Sequence, residues 1–211
     1  MGDQARFPAG IFVDGPITLG DQTVQPGWAR SDLVEEAAAQ YAIPWEQWKI
    51  HNAFQTPLTG TANTDDLGLI GGTFGTGTPS IQSSDAKATT VTQYARALVR
   101  LPIEYVAASS VSLMFHAGMR STISDGTATL DLECYRSDNE GLVDGADKYG
   151  GAAVDINSIT LTDKSYTLTA GALSPGDLLD IRITVAITDA ATGTAVIGWI
   201  GQAWLQCHVK G

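Results

Sequence analysis

Asp131 and Glu133 stand two residues apart in an alternating segment. On a strand, that spacing puts both carboxylates on one face, about 7 Å apart. Inverting glycoside hydrolysis uses two acids at a similar separation, one to protonate the leaving oxygen and one to activate water. The competing reading is a solvated acid pair facing Arg96 or Arg100 on a neighbouring strand. Asp138, Asp144 and Asp147 share one glycine-containing loop and could offer oxygens to Ca²⁺, but their spacing is not that of an EF-hand. His51, His116 and His208 have no i, i+2 or i, i+4 partner among themselves, so no metal pair or triad is written locally. Residues 71–77 read GGTFGTG, yet Thr78 stands where a phosphate loop needs its Lys. No GxSxG nucleophile elbow occurs. No catalytic, cofactor-binding or metal-binding residue is assigned, and no cofactor is implied.

The elements that must carry these residues are strands. Residues 178–189 read LLDIRITVAITD, with Ile181, Ile183, Val185 and Ile187 on one face and Arg182, Thr184 and Thr188 on the other. Residues 196–209 alternate again and place Ile197, Trp199, Leu205, Cys207 and Val209 on one side. Period-2 alternation specifies strands with one buried and one wetted face. Further runs lie at 94–101, 111–117 and 127–136, with shorter ones near 156–159 and 166–168. Ser124-Asp125-Gly126 and Ser174-Pro175-Gly176-Asp177 read as turns. The expected fold is mainly β: an antiparallel β-sandwich, jelly-roll-like, of about eight strands over residues 87–211.

Residues 1–86 precede it as an arm, a helix and a long loop. Pro8, Pro16 and Pro26 punctuate an irregular arm over 1–30, with short extended pieces at 17–19 and 23–24. Residues 31–48 carry the only helical pattern. Asp32 followed by Glu35 resembles a capping box, and Leu33, Ala37 and Tyr41 with Val34 and Ala38 share a face. Pro44 should interrupt that helix, with a second turn over 45–48. Residues 56–84 are rich in Gly and Thr and read as loop with one short strand at most.

Trp28, Trp45 and Trp48 fall close together in sequence. With Phe54 and the outward Trp204 they are the candidates for partner binding. The alternative is an internal mini-core. Outward Trp204 and Tyr135 could also stack on sugar rings, or be covered by the arm or a neighbouring subunit.

The formal charge is −11, and residues 52–86 contain no Lys or Arg. Such a surface repels phosphate backbones and anionic lipid, so nucleic-acid and membrane partners are disfavoured. No apolar run reaches about 18 residues, the length needed to span a bilayer. The N-terminus shows no secretory pattern, so synthesis in a cytoplasm is expected. Cys134 and Cys207 both fall on apolar strand faces. Buried free thiols are expected, with an inter-sheet disulfide as the alternative.

Several segments together resemble a family of tailed-bacteriophage virion proteins. They are IFVDGPITLGDQTVQPGWARSD, EEAAAQYAIPWEQWKIHNAF, LGLIGGTFG, RALVRLPIEYVAASSVSLMFHAGM, ATLDLECYRSD and NSITLTDKSYTLTAGALSPGDLLDIRITVAITDAA. The family is that of capsid-associated jelly-roll proteins, decoration or cement proteins and head-fibre bases. The resemblance implies a non-enzymatic protein on the capsid surface of a virion. Its implied partners are the major capsid protein and its own copies, a homotrimer being favoured. A carbohydrate- or host-surface-binding sandwich is the alternative function.

Overall fold

The computed structural model describes residues 17–19, 22–24, 36–138, 140–191 and 193–210. Trp28 and residues 31–35 of the expected helix lie outside them. Two compact units divide the chain: residues 1–37 with 210–211, and residues 38–209. In the first, β1 (Ile17–Leu19) and β2 (Gln22–Val24) pair as an antiparallel hairpin, with Ile17 opposite Val24.

The larger unit contains a two-sheet sandwich. Its strands are β3 (Glu36–Ala42), β4 (Lys49–Ile50), β5 (Ala53–Pro57), β6 (Gly68–Gly71), β7 (Pro79–Gln82), β8 (Thr90–Arg100), β9 (Val111–Met119), β10 (Thr127–Ser137), β11 (Val143–Asp144), β12 (Val154–Asp155), β13 (Thr162–Thr167), β14 (Leu178–Thr188) and β15 (Gly198–Lys210). One sheet runs β11-β10-β14-β8-β4-β5, with β12 also on β10. The other runs β13-β9-β15-β7-β6, with β3 also on β15. Within these sheets β7 pairs β15, β8 pairs β14, β9 pairs β13 and β10 pairs β12. First meets last, second meets next-to-last, and so inward: this is the nested order of a jelly roll. The expected boundary at 86/87 falls inside this unit, because β4–β7 already belong to the two sheets.

Alternation decides which side chains fill the interior. Ala95, Ala97 and Val99 of β8, Leu130, Leu132 and Cys134 of β10, and Ile181, Ile183, Val185 and Ile187 of β14 are all buried from one sheet. Val111, Leu113, Phe115 and Ala117 of β9 oppose them from the other. An aromatic chain crosses the interior. Trp48 meets Phe115 edge-on at 6.2 Å, Phe115 meets Tyr166 at 5.5 Å, and Tyr166 meets Tyr149 at 5.1 Å. Such T-shaped contacts suit the ring quadrupoles. The Tyr166 hydroxyl donates to the Leu130 carbonyl at 2.7 Å, so its polar end is satisfied.

Two expectations are corrected here. Residues 36–42 form strand β3, not helix. Six of its seven residues are exposed, so no apolar helical stripe is buried. The edge of β15 instead offers backbone partners, and the ladder continues as the Ile43 N–H donates to the Ala203 carbonyl at 2.9 Å. After Pro44 only a 3-10 turn remains, Trp45–Gln47, where the second short turn was expected. The other correction concerns β15. Its register shifts between Ile200 and Gln202. Gly198 and Ile200 point inward before the shift; Ala203, Leu205 and Cys207 do so after it. Leu205 and Cys207 are therefore core, while Ile197 and Trp199 turn away from it.

Candidate functional site

The outer face of the β10-β14-β8 sheet gathers the charged residues. Glu133 lies opposite Arg182, and Arg182 opposite Arg96. Arg182 ion-pairs with Glu133. Arg96 grips Asp180 through two nitrogens, its Nε at 2.7 Å. The Arg96 guanidinium sits 5.2 Å from the Phe54 ring centre, and that of Arg182 sits 5.0 Å from Tyr94. His51 Nδ1 lies 2.8 Å from Asp66 Oδ1. A cavity of about 290 Å³ opens here, lined by His51, Arg96, Glu133, Tyr135, Asp180 and Arg182. Asp131 accepts the Leu132 N–H at 2.9 Å. The acid pair read from sequence does share a face, but the arginine that meets Glu133 is Arg182 on the adjacent strand. The Glu133 carboxylate is thus engaged by that guanidinium.

Other candidates are likewise occupied. Asp138 Oδ1 accepts from the Glu140 and Leu142 N–H groups, and Asp147 Oδ1 from those of Cys134 and Tyr149. Asp144 ion-pairs with Arg136. These loop acids hold turns together. Among the described residues, no three His, Cys, Asp or Glu side chains converge as metal ligands. His116 pairs with Asp163 at 2.7 Å on the opposite sheet, away from His51. Cys134 and Cys207 are buried free thiols. Burial pushes the Cys134 thiol up to about 12, with the Asp147 carboxylate adding to it, and raises Cys207 too.

The outer face of the β13-β9-β15 sheet is different. The register shift at Gly201 sets Gln202, Trp204 and Gln206 outward, opposite His116, Met114 and Ser112. At that point β15 also changes edge partner. β7 pairs with it at Trp199 and Ile200, and β3 adjoins it from Ala203 onward. Among the described residues no strand pairs with β15 between the ends of β3 and β7, and a cleft of about 570 Å³ forms there. Trp45 and Trp204, both half-buried, and Gln40 and Gln202, both exposed, line it together with Pro44 and Pro79. Among the described residues, none of its lining side chains carries a charge. Its size is typical of small-molecule sites.

Of the five partner-binding candidates, the structure brings two together, Trp45 and Trp204. Phe54 lies on the other sheet beneath Arg96. Trp48 is fully buried against Phe115, so for this residue the structure favours the internal mini-core alternative over a partner contact: its indole closes the core. Trp28 is outside the described residues. Tyr135 and Trp204 occupy opposite outer faces, so the two cannot stack on one ligand. Gln40 and Gln202 were missed from sequence. The available signal was Gly201 inside an alternating run, a mark of a bulge.

These observations define the class as an antiparallel β-sandwich of jelly-roll order. No protein-family model matches the chain, and no curated protein matches it either. Solved structures similar to it include the enzymatically active domain of bacteriophage CBA120 tailspike protein 4 (10% identity, 83% of this chain, TM-score 0.37). The chain spans only 19% of that domain's length. The CBM22-1 xylan-binding domain of Paenibacillus barcinonensis Xyn10C matches at 15% identity over 69% of this chain and 82% of its own, with a TM-score of 0.36. A chain of infectious bursal disease virus, Gx strain, matches at 13% identity over 99% of this chain and 40% of its own, with a TM-score of 0.38. These likenesses are too distant to carry anything beyond the two sheets already described.

Proposed function

We propose that this chain is a non-enzymatic structural protein of a phage virion, binding the outside of the capsid lattice as a decoration or cement protein and stabilising the head. The observation that carries this reading is Phe74. It is fully exposed at the tip of the glycine-rich loop between β6 and β7. Gly71 at the end of β6 and Gly72 and Gly75 in that loop have φ near +80° to +90°, a backbone that presents the ring on a tight turn. A large aromatic ring held in water is an anchor awaiting an apolar pocket. The pairing of the charged side chains with one another supports adhesion over catalysis. The resemblance of the quoted segments to capsid-associated phage proteins supports the same role. The partner is the major capsid protein, and a homotrimer fits three-fold lattice points. Many copies per shell multiply weak contacts into firm attachment.

The test is direct. Purified particles are resolved on a denaturing gel, and the heat stability of heads with and without this chain is compared. The chain should appear in particles and delay thermal rupture, and Phe74→Ser should weaken its retention. Absence from particles overturns the proposal.

A further inference from the structure

We infer that the cleft between Trp45 and Trp204 is a binding site for an uncharged saccharide. This goes beyond lattice attachment and does not rest on it. The cleft exists because β15 changes edge partner at its bulge, which leaves a gap between the ends of β3 and β7. Trp45 and Trp204 supply flat apolar surface of the kind that covers the C–H face of a sugar ring. Gln40 and Gln202 stand beside them. An amide both donates and accepts, and so does a sugar hydroxyl.

The charge pattern narrows the ligand. In a chain of net charge −11, no ionisable side chain among the described residues lines this cleft. The opposite face, by contrast, is crowded with paired ions. A sialylated or sulfated glycan would find no cation here. A purely apolar ligand would cover the Gln202 amide without pairing it, which is costly, whereas the Gln40 amide already donates to Gln206. A proline-rich peptide would meet the tryptophans but offers mainly acceptors, so the acceptor halves of the amides would go unused. The volume of about 570 Å³ falls in the range of small-molecule sites and has room for a short saccharide.

The full chain is run through native gels with and without dissolved β-glucan, galactomannan or dextran, and probed on an array of neutral and acidic glycans alongside a proline-rich peptide array. At least one uncharged glycan should retard it. Trp204→Ala and Trp45→Ala should weaken that binding about tenfold or more, and Gln202→Leu about threefold or more. Residue 202 is exposed, so Gln202→Leu should keep the parent melting temperature and exclude misfolding as the cause. No retardation by any uncharged glycan, binding confined to acidic glycans, or peptide binding that alone depends on Trp204 would each overturn the assignment. Particle association is read separately, so a chain that decorates heads but ignores glycans removes only this inference.

Discussion

Trp199 and Trp204 stand on the same outer face of β15 although their sequence positions have opposite parity. Strict alternation would send one inward and one outward. The extra residue at Gly201 resets the register, and both indoles leave the core. The Trp45–Trp204 cleft is a consequence of that one-residue insertion.

The two glycines flanking Ile200 should respond differently to alanine. A Cβ at Gly198 would meet Val185 Cγ1 at 2.8 Å and Ile187 Cδ1 at 3.3 Å across the core. Overpacking of this kind costs about 1–3 kcal/mol. A Cβ at Gly201 meets only Leu161 Cδ2 at 3.4 Å and the His116 backbone and ring beyond it. Gly201→Ala should stay within about 0.5 kcal/mol of the parent. Urea titration of both variants checks the contrast, and equal midpoints would refute it.

Trp48 plugs the interior where the chain passes from β3 in one sheet to β4 in the other. Trp48→Ala should cost about 3–5 kcal/mol, as for other buried aromatics cut to alanine. Thermal melting measures it. A loss under about 1 kcal/mol would show that the indole is not packed as described.

Glu133 and Arg182 are 32% and 41% exposed in their side chains. Partly solvated pairs contribute about 0–1 kcal/mol. Glu133→Gln should therefore change stability little, and a broad glycoside panel should show no turnover for parent or variant. Hydrolysis abolished by Glu133→Gln would restore the acid pair as a catalytic centre.

Cys134 should be inert to a thiol reagent at pH 8 in the folded chain and react on denaturation. Its folded pKa of about 12 keeps it protonated there. Because the folded value lies above the unfolded one, this thiol's contribution to stability is complete below about pH 8.5 and is lost as pH rises towards 12. Cys134→Ala should flatten that alkaline loss. An equally steep alkaline limb in the variant would contradict the burial argument.

Asp189 behaves in the opposite sense. Backbone N–H groups of Ala88 and Asp125 donate to it, each at 3.1 Å, and hold its carboxyl below the usual value. Stability from this group is present above the ordinary carboxylate range and is lost as pH falls through the lowered value. Asp189→Asn should flatten the acid limb of a stability profile. An unchanged limb would show that these bonds do not favour the charged form.

The long strands were legible because each half-buried strand writes its own period. β8, β10 and β14 alternate over most of their length and β9 as far as Ala117, and the apolar residues read as inward from the sequence are buried. β3 was not legible. Its alanines favour a helix locally, and only the edge of β15, distant in sequence, offers the backbone partners that make it a strand. The bulge was hidden for a related reason: Gly201 marks the site, but the direction of the register shift depends on which neighbours occupy β15's two edges.

Sequence by itself determined the mainly β class, the two-faced strands, the buried thiols and the charge, since these depend on residue type and short-range spacing alone. Tertiary structure alone decided which side chains meet. It set Trp48 into the core, parted Tyr135 from Trp204, and joined Trp45 to Trp204 across a gap in a sheet edge. Pairing between distant strands fixes those relations, and backbone hydrogen bonds are available to any residue, so side-chain identity does not encode them.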